Sequence, residues 1–315
     1  MIRLATIDIG TNTTLLLVAE ADGGQVRVLD ERAEITRLGR GIGSQGGLGR
    51  EGIDRTLTVL REYADIAARH RAPIQAIGTE GLRRASNAAE FLTPAQRILG
   101  RPIEVIDGER EAALSFLAAQ RSFPEAARGR SIVVDIGGGS TEIILAEAAE
   151  LSFRCSLPLG SVRLTEKHVR HDPPLAPELR AARDEVEAAL AAVPFPAAEA
   201  TLIGTAGTVT TLCAMHLGLR SYDPTQVHGY AMPRAGLAAQ IARLSTSTQQ
   251  EREAMAGLDP RRADVILCGA IILLAIAERA QSGHILVSDR GIRWGLLYER
   301  LSAAQAGVAA PQATR

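Results

Sequence analysis

Apolar runs that end in one aspartate and restart after a glycine turn set the rhythm of this chain. Residues 7–19 read IDIGTNTTLLLVA. The continuation, LLLVAEADGGQVRVLDERAEI, has the form strand, Asp-Gly-Gly turn, strand. The first glycine turn therefore joins two antiparallel strands and opens no helix. The period then changes. Leu57, Leu60, Ala64 and Ala67 recur near helical spacing and predict a helix over about Arg50–Arg69. A second helix is expected over Ala88–Leu99, a strand at IEVID (103–107), and a helix in GEREAALSFLAAQ after it.

The pattern then starts again. VDIGGGSTEIILA at 134–146 matches 7–19 at a spacing of 127, with Asp8 on Asp135, Gly10 on Gly137 and Ala19 on Ala146. IGTEG at 77–81 matches IGTAG at 203–207 at a spacing of 126. Two landmarks in the same order at one offset mark an internal duplication. In the second copy, mixed helix is inserted between Leu212 and Ala280, and ILVSD (285–289) takes the place of IEVID. Pro173, Pro174 and Pro177 mark a loop before a helix at Pro177–Ala192. The division read from this is a first domain over 1–126, a second over 127–290, a C-terminal helix over about 291–303 that packs back on the first domain, and a frayed tail over 304–315.

Composition narrows the class. The 315 residues are 46% apolar and 23% charged, the balance of a globular chain with a core, which excludes disordered and fibrous classes. Thirty-five basic and 36 acidic residues leave a net charge of -1. No global field gathers nucleic acid or an anionic membrane, so an anionic ligand must be held by a local site. Lys167 is the sole lysine; GC-rich coding is the plainer cause, although the planar fork of arginine suits phosphate. Cys155, Cys213 and Cys268 are odd in number and far apart, which argues against disulfides and zinc and for a reducing cytoplasm. MIRLATIDIGT holds no signal-peptide core, and the 13-residue apolar run Val265–Ala277 falls short of the roughly 20 residues of a membrane span. It reads as a buried core helix.

Asp-Ile-Gly-Gly-Gly-Ser-Thr offers consecutive backbone N–H groups and two hydroxyls, and without Cβ atoms phosphate oxygens approach the backbone closely. Gly137, Gly138, Gly139, Ser140 and Thr141 are the candidates in the second copy, and Gly10, Thr11, Asn12 and Thr13 in the first. Asp8 and Asp135 end their strands where a carboxylate can hold a divalent cation on those oxygens. IGTEGLRR and IGTAGTVT each run from strand into a helix N-terminus, which adds Gly207 and Thr208. A polyphosphate gripped from both sides of an interdomain cleft is the reading that uses all four loops. No G-x-x-x-x-G-K-[ST] is present, so a P-loop is excluded. G-I-G-S-Q-G at 41–46 spells a dinucleotide fingerprint, but Gly46, Gly47 and Gly49 fall where its helix must run, so it reads as a loop. His168 and His171 lack a third ligand and read as packing or solvated histidines.

IDIGTNTTLLLVA, GTEGLRRASN, IDGEREAALSF, VVDIGGGSTEIIL, LGSVRLTE, GTAGTVTTL and VSDRGIRWGLLYE together resemble the exopolyphosphatase/guanosine pentaphosphate phosphatase (Ppx/GppA) family of the actin–hexokinase-like superfamily, in its short two-domain form. The resemblance implies an α/β fold of duplicated actin/hexokinase-like (ribonuclease H-like) domains flanking a cleft. It implies hydrolysis of a terminal phosphoanhydride of polyphosphate or guanosine pentaphosphate. Glu111 falls on the family's catalytic base, with Glu109 as the fallback. Asp8, Asp135 and Glu142 fall on metal positions for Mg²⁺, or Mn²⁺ in its place, and Arg83 on a phosphate ligand. Arg110 and Trp294 depart from the family pattern.

Two rival classes are an actin-like ATP-dependent kinase and a non-catalytic polyphosphate or alarmone sensor. With no basic run and no C-terminal helical region following Leu301, short polyphosphates are the expected substrates. A homodimer joining arginines such as Arg261 and Arg262 of two subunits into a channel would change that expectation.

Overall fold

The structure, a computed structural model, describes residues 2–22, 25–42 and 46–308. The Gly23–Gly24 turn, part of the 41–46 loop, and residues 309–315 of the expected tail lie outside the described residues. Strand β1 (Ile2–Ile9) pairs antiparallel with β2 (Thr13–Asp22), and β2 with β3 (Gln25–Ile35). Helix α1 (Arg50–Arg69) buries Leu57, Leu60, Tyr63 and Ile66 in the core that holds Ile7, Ile9 and Leu16. Each such side chain removed from water contributes about 1.5–3 kcal/mol. The chain returns through β4 (Ile74–Gly78), parallel to β1, then α2 (Glu80–Arg84), α3 (Ala88–Leu99) and β5 (Ile103–Val105). The sheet order is β3-β2-β1-β4-β5.

Helix α4 (Gly108–Ser122) and the short α5 (Pro124–Arg128) lead to a second sheet. Strands β6 (Arg130–Ile136), β7 (Thr141–Glu147) and β8 (Glu150–Leu157) form its antiparallel half. Helices α6 (Ser161–His168) and α7 (Ala176–Leu190) precede β9 (Thr201–Thr205) and α8 (Ala206–Leu217). The insertion contributes α9 (Pro224–Val227), β10 (Ala231–Pro233), α10 (Arg234–Thr246) and α11 (Gln249–Glu253) before α12 (Ile266–Arg279) and β11 (His284–Val287). The order β8-β7-β6-β9-β11 repeats that of the first sheet strand for strand, with β10 added antiparallel at the edge. Helix α12, the long apolar run, is buried along nearly its whole length.

Helix α4 is the common wall of the two halves. Ala112, Phe116 and Ala119 pack on Val133 and Ile144 of the second sheet, while Leu114 packs on Ile77 and Ile106 of the first. The last helix, α13 (Ile292–Val308), returns to the first half, setting Trp294, Leu297 and Leu301 against Leu4, Leu17 and Ala19. Gly295 permits this approach, since a Cβ there would lie 2.0 Å from the Leu114 carbonyl oxygen of α4. The tail expected from residue 304 is thereby corrected: helix continues to Val308.

Both departures from the family pattern find structural partners here. Arg110 donates from both terminal nitrogens to Glu299 of α13, at 2.5 Å each. Trp294 is buried under the Arg290 guanidinium, 4.4 Å from its ring, and its indole N–H donates to Glu31 at 3.4 Å. Both serve to dock α13.

Candidate active site

The two glycine hairpins are the same turn built twice. Gly10 N–H donates to the Thr13 carbonyl and Gly137 N–H to the Ser140 carbonyl, each at 3.0 Å. They face each other across a cavity of about 970 Å³ between the sheets. Contact between them is close: a Cβ on Gly138 would stand 3.2 Å from Asn12 Cβ. Polar bonds hold the halves in this arrangement. Arg262 donates to the Thr13 hydroxyl at 2.9 Å, Arg37 to Asp264 at 3.1 Å, and Arg261 to Glu34 at 3.0 Å.

Among the carboxylates that line the cavity are Asp8, Glu111, Asp135 and Glu142. Asp8 and Asp135 sit near the ends of β1 and β6 because the apolar run before each is buried in its sheet. Glu142 stands directly opposite Asp135 in the β6–β7 register, so both side chains share one face. In the first copy Leu15 occupies the position opposite Asp8, so the duplication supplies this second carboxylate once. Glu111 and Ser115 lie one turn apart on α4 and point into the same site. Ser115 donates to Asp135 at 2.6 Å, and Arg83 donates to Glu111 at 2.6 Å. Ser156 donates to Glu142 at 2.7 Å.

Burial governs the protonation of this group. Burial, reinforced by the neighbouring Asp135, raises the Asp8 carboxyl to about 7. Burial likewise raises Glu111 to about 8, against the Arg83 guanidinium that favours its charged form. Asp135 and Glu142 are also pushed up by burial, Glu142 further by the charges of Glu111 and Asp135. A carboxylate with a raised pKa in the fold stabilises it below the unfolded pKa and loses that contribution as pH climbs through the folded value. For Glu111 that window runs from 4.5 to about 8. In EDTA, the melting temperature should therefore fall by several degrees between pH 5 and pH 8, and Asp8→Asn should flatten the fall. Differential scanning calorimetry checks this; a melting temperature constant across that range would contradict the clustered charge.

A divalent cation fits these residues. Asp8 Oδ1 and Asn12 Nδ2 are buried with no hydrogen-bond partner among the described residues. The first is an acceptor suited to a cation, the second a donor suited to a phosphate oxygen. Among the described residues, no three acidic, histidine or cysteine side chains converge as a closed metal-ligand set. Asp8, Asp135 and Glu142 thus do not form a ready three-ligand cage. Mg²⁺ does not require one, since it is commonly held by one or two carboxylates with waters and substrate phosphates.

Several expected residues stand elsewhere. Thr141 is corrected as a phosphate ligand: it opens β7 facing away from Glu142, and its hydroxyl donates to the Leu159 carbonyl at 2.5 Å. Arg83 does not line the cavity, being turned to Glu111 and the Ile106 carbonyl. Gly207 lines it beneath the Arg262 guanidinium, where a Cβ would meet Nη2 at 2.4 Å. Gly10, Thr11, Asn12, Thr13, Gly137, Gly138, Gly139, Ser140 and Thr208 line it as expected. The fallback Glu109 lies outside, paired with Arg154 at 2.5 Å. His168 and His171 each meet a carboxylate, Glu185 and Glu178.

Arg261, Arg262, Glu80 and Ser115 are among the residues at the site that escaped the sequence reading. Arg261 and Arg262, named from the sequence only as arginines that a dimer would join into a channel, wall the cleft. Nothing local in GLDPRRAD indicates this. Glu80 is buried between Thr11, Arg84 and Arg163. Ser115 carried a signal, its four-residue spacing from Glu111.

Duplicated α/β domains closing glycine turns and buried carboxylates around one cavity define a phosphate-handling protein of the actin- and hexokinase-like class. The sequence pattern of the Ppx/GppA phosphatase family matches residues 17–304, and the chain belongs to that family. Exopolyphosphatase 2 of Mycobacterium tuberculosis is 37% identical over 312 residues, covering 93% of this chain and 97% of that protein. The crystal structure of the Aquifex aeolicus family member matches with a TM-score of 0.82 at 34% identity, over 96% of this chain and 98% of the other. A guanosine-5'-triphosphate,3'-diphosphate pyrophosphatase of Vibrio vulnificus is 32% identical over 307 residues, or 95% of this chain and 59% of its own length. Among the described residues no helix is long and apolar enough to cross a membrane.

Proposed function

We propose that this chain hydrolyses the terminal phosphoanhydride of inorganic polyphosphate, releasing phosphate, and that it works best on short chains. The observation that carries the reading is Glu111: a buried carboxylate with its pKa lifted to about 8 by burial, facing the cavity that the glycine turns enclose. A general base is most effective when its pKa lies near the working pH.

In this reading the terminal phosphate rests on the N–H groups of the two glycine turns and on Asn12 Nδ2. Glu111 accepts a proton from a water whose oxygen bonds to the terminal phosphorus, while the bridging oxygen leaves with the bond electrons. Ser115 fixes Asp135, and Arg83 fixes Glu111 and tempers its basicity. Asp8 and Asp135 would hold Mg²⁺, with Mn²⁺ as a substitute, and Glu142 would contribute through water. The bound cation would offset the charge spread over the transferring phosphoryl oxygens.

A second reading, hydrolysis of guanosine pentaphosphate, draws on one feature. The cavity continues past the turns to Leu219, Tyr222 and Pro224, a wall able to take a base. Phosphate release from tripolyphosphate, long polyphosphate, guanosine pentaphosphate and ATP, measured side by side with Mg²⁺, tests both. The proposal expects tripolyphosphate to give the highest kcat/KM, and long chains to shorten gradually as one population. Untouched long chains beside fully degraded product would overturn the short-chain reading. Preferred cleavage of the nucleotide would select the second reading.

A further inference from the structure

A second cavity, of about 760 Å³, lies on the other side of the glycine turns. Its charge is opposite to that of the cleft. Among the described residues, eight carboxylates line the cleft against five arginines, whereas seven cationic side chains line this cavity against three acidic ones. Both halves of the fold contribute cations: Arg40 and Arg84 stand in the first, and Arg163, Lys167 and Arg170 in the second. Some of this charge is already engaged. Arg84 and Arg163 meet Glu80 at 2.9 and 3.5 Å, and Lys167 meets Glu185 at 2.6 Å. Among the described residues, the Arg40 side chain has no hydrogen-bond or ion-pair partner, and that of Arg170 meets the Lys167 carbonyl at 3.3 Å. These two arginines are exposed, one on each half, with no carboxylate among the described residues paired to either guanidinium.

From this we infer that the basic cavity is a second oligophosphate site, separate from the cleft. Its ligand is an anion of several linked phosphates, long enough to meet arginines of both halves at once. A chain threading from the cleft is disfavoured at the partition. There Glu80 lies against Gly139, where a Cβ would stand 1.8 Å from Oε2, and Thr11 donates to the same carboxylate at 3.2 Å. A buried carboxylate at the narrowest point repels a passing polyanion. The occupant is therefore a separate molecule, and by bridging both halves it favours their closed arrangement.

Isothermal titration with tripolyphosphate in excess EDTA tests this independently of turnover, since the cleft without a cation presents carboxylates to the ligand. Wild-type protein should bind one equivalent, more weakly as salt is raised. Arg40→Gln with Arg170→Gln should weaken binding about tenfold or more, through loss of two charge-assisted contacts. Glu111→Gln should bind as tightly as wild type or more so. Absence of binding in EDTA, an unchanged affinity in the double variant, or a loss caused by Glu111→Gln would each overturn the site. The double variant alters exposed side chains, and an unchanged kcat on tripolyphosphate with Mg²⁺ verifies that it folds. A KM that rises only for long polyphosphate would show the same cavity holding the far end of the substrate, overturning the separate occupant. A KM unchanged at every length, with binding lost in EDTA, supports it.

Discussion

Glu111→Gln is expected to lower kcat for phosphate release by about 10²–10⁴-fold, the usual contribution of a general base, while KM changes by no more than a few-fold. The amide keeps the shape and the contact with Arg83 but cannot accept the proton of the attacking water. In the wild-type protein, kcat/KM should climb with pH as this carboxyl ionises, with its acid limb above the ordinary carboxylate range because burial disfavours the charge. That limb should be absent from the residual activity of the variant. Glu109→Gln is the control, since Glu109 is more than half exposed and paired with Arg154 outside the cavity. Steady-state phosphate release over a pH series measures all three. Retained activity within a few-fold in Glu111→Gln would remove this residue from the chemistry, and a large loss in Glu109→Gln would move the base there.

Excess EDTA is expected to abolish turnover, and Asp8→Asn with Asp135→Asn to raise the Mg²⁺ concentration for half-maximal rate by about 10–100-fold or more. The reason is electrostatic. Asp8, Asp135, Glu142 and Glu111 are buried around one cavity whose carboxylates outnumber its arginines, Arg261 and Arg262 among them, so added positive charge favours the entry of phosphates. Calorimetry provides a readout apart from activity: Mg²⁺ should raise the melting temperature more at pH 8 than at pH 6, because it binds the ionised carboxyls. The double variant should lose most of that increment. Full turnover in EDTA would overturn the metal assignment.

Much of the fold was legible because its signals are local or repeated. The helices at Arg50–Arg69 and Ala88–Leu99 agree residue for residue with the expected spans. The strand expected over 103–107 is shorter, ending at Val105, because Asp107 is taken up as the cap of α4, its side chain accepting from the Arg110 N–H. The duplication foretold two matching sheets because each copy repeats one order of apolar run, turn and helix. Edge strand β10, three residues long, carries too little periodicity to be read.

Local sequence alone dictates the duplicated halves, the glycine turns and the carboxylates that end β1 and β6, because backbone preference and apolar burial act over a few residues. What those groups meet follows from the packing of distant segments. Arg83 turned to Glu111 and away from the cavity, Thr141 pointed into the core, and Arg262 crossed from the second half to Thr13. Those outcomes depend on side-chain direction and on partners far apart in the chain, which spacing along one segment does not encode. The raised pKa values have the same origin: a carboxylate looks alike in any sequence, and its basicity is set by the burial and neighbouring charge that packing alone supplies.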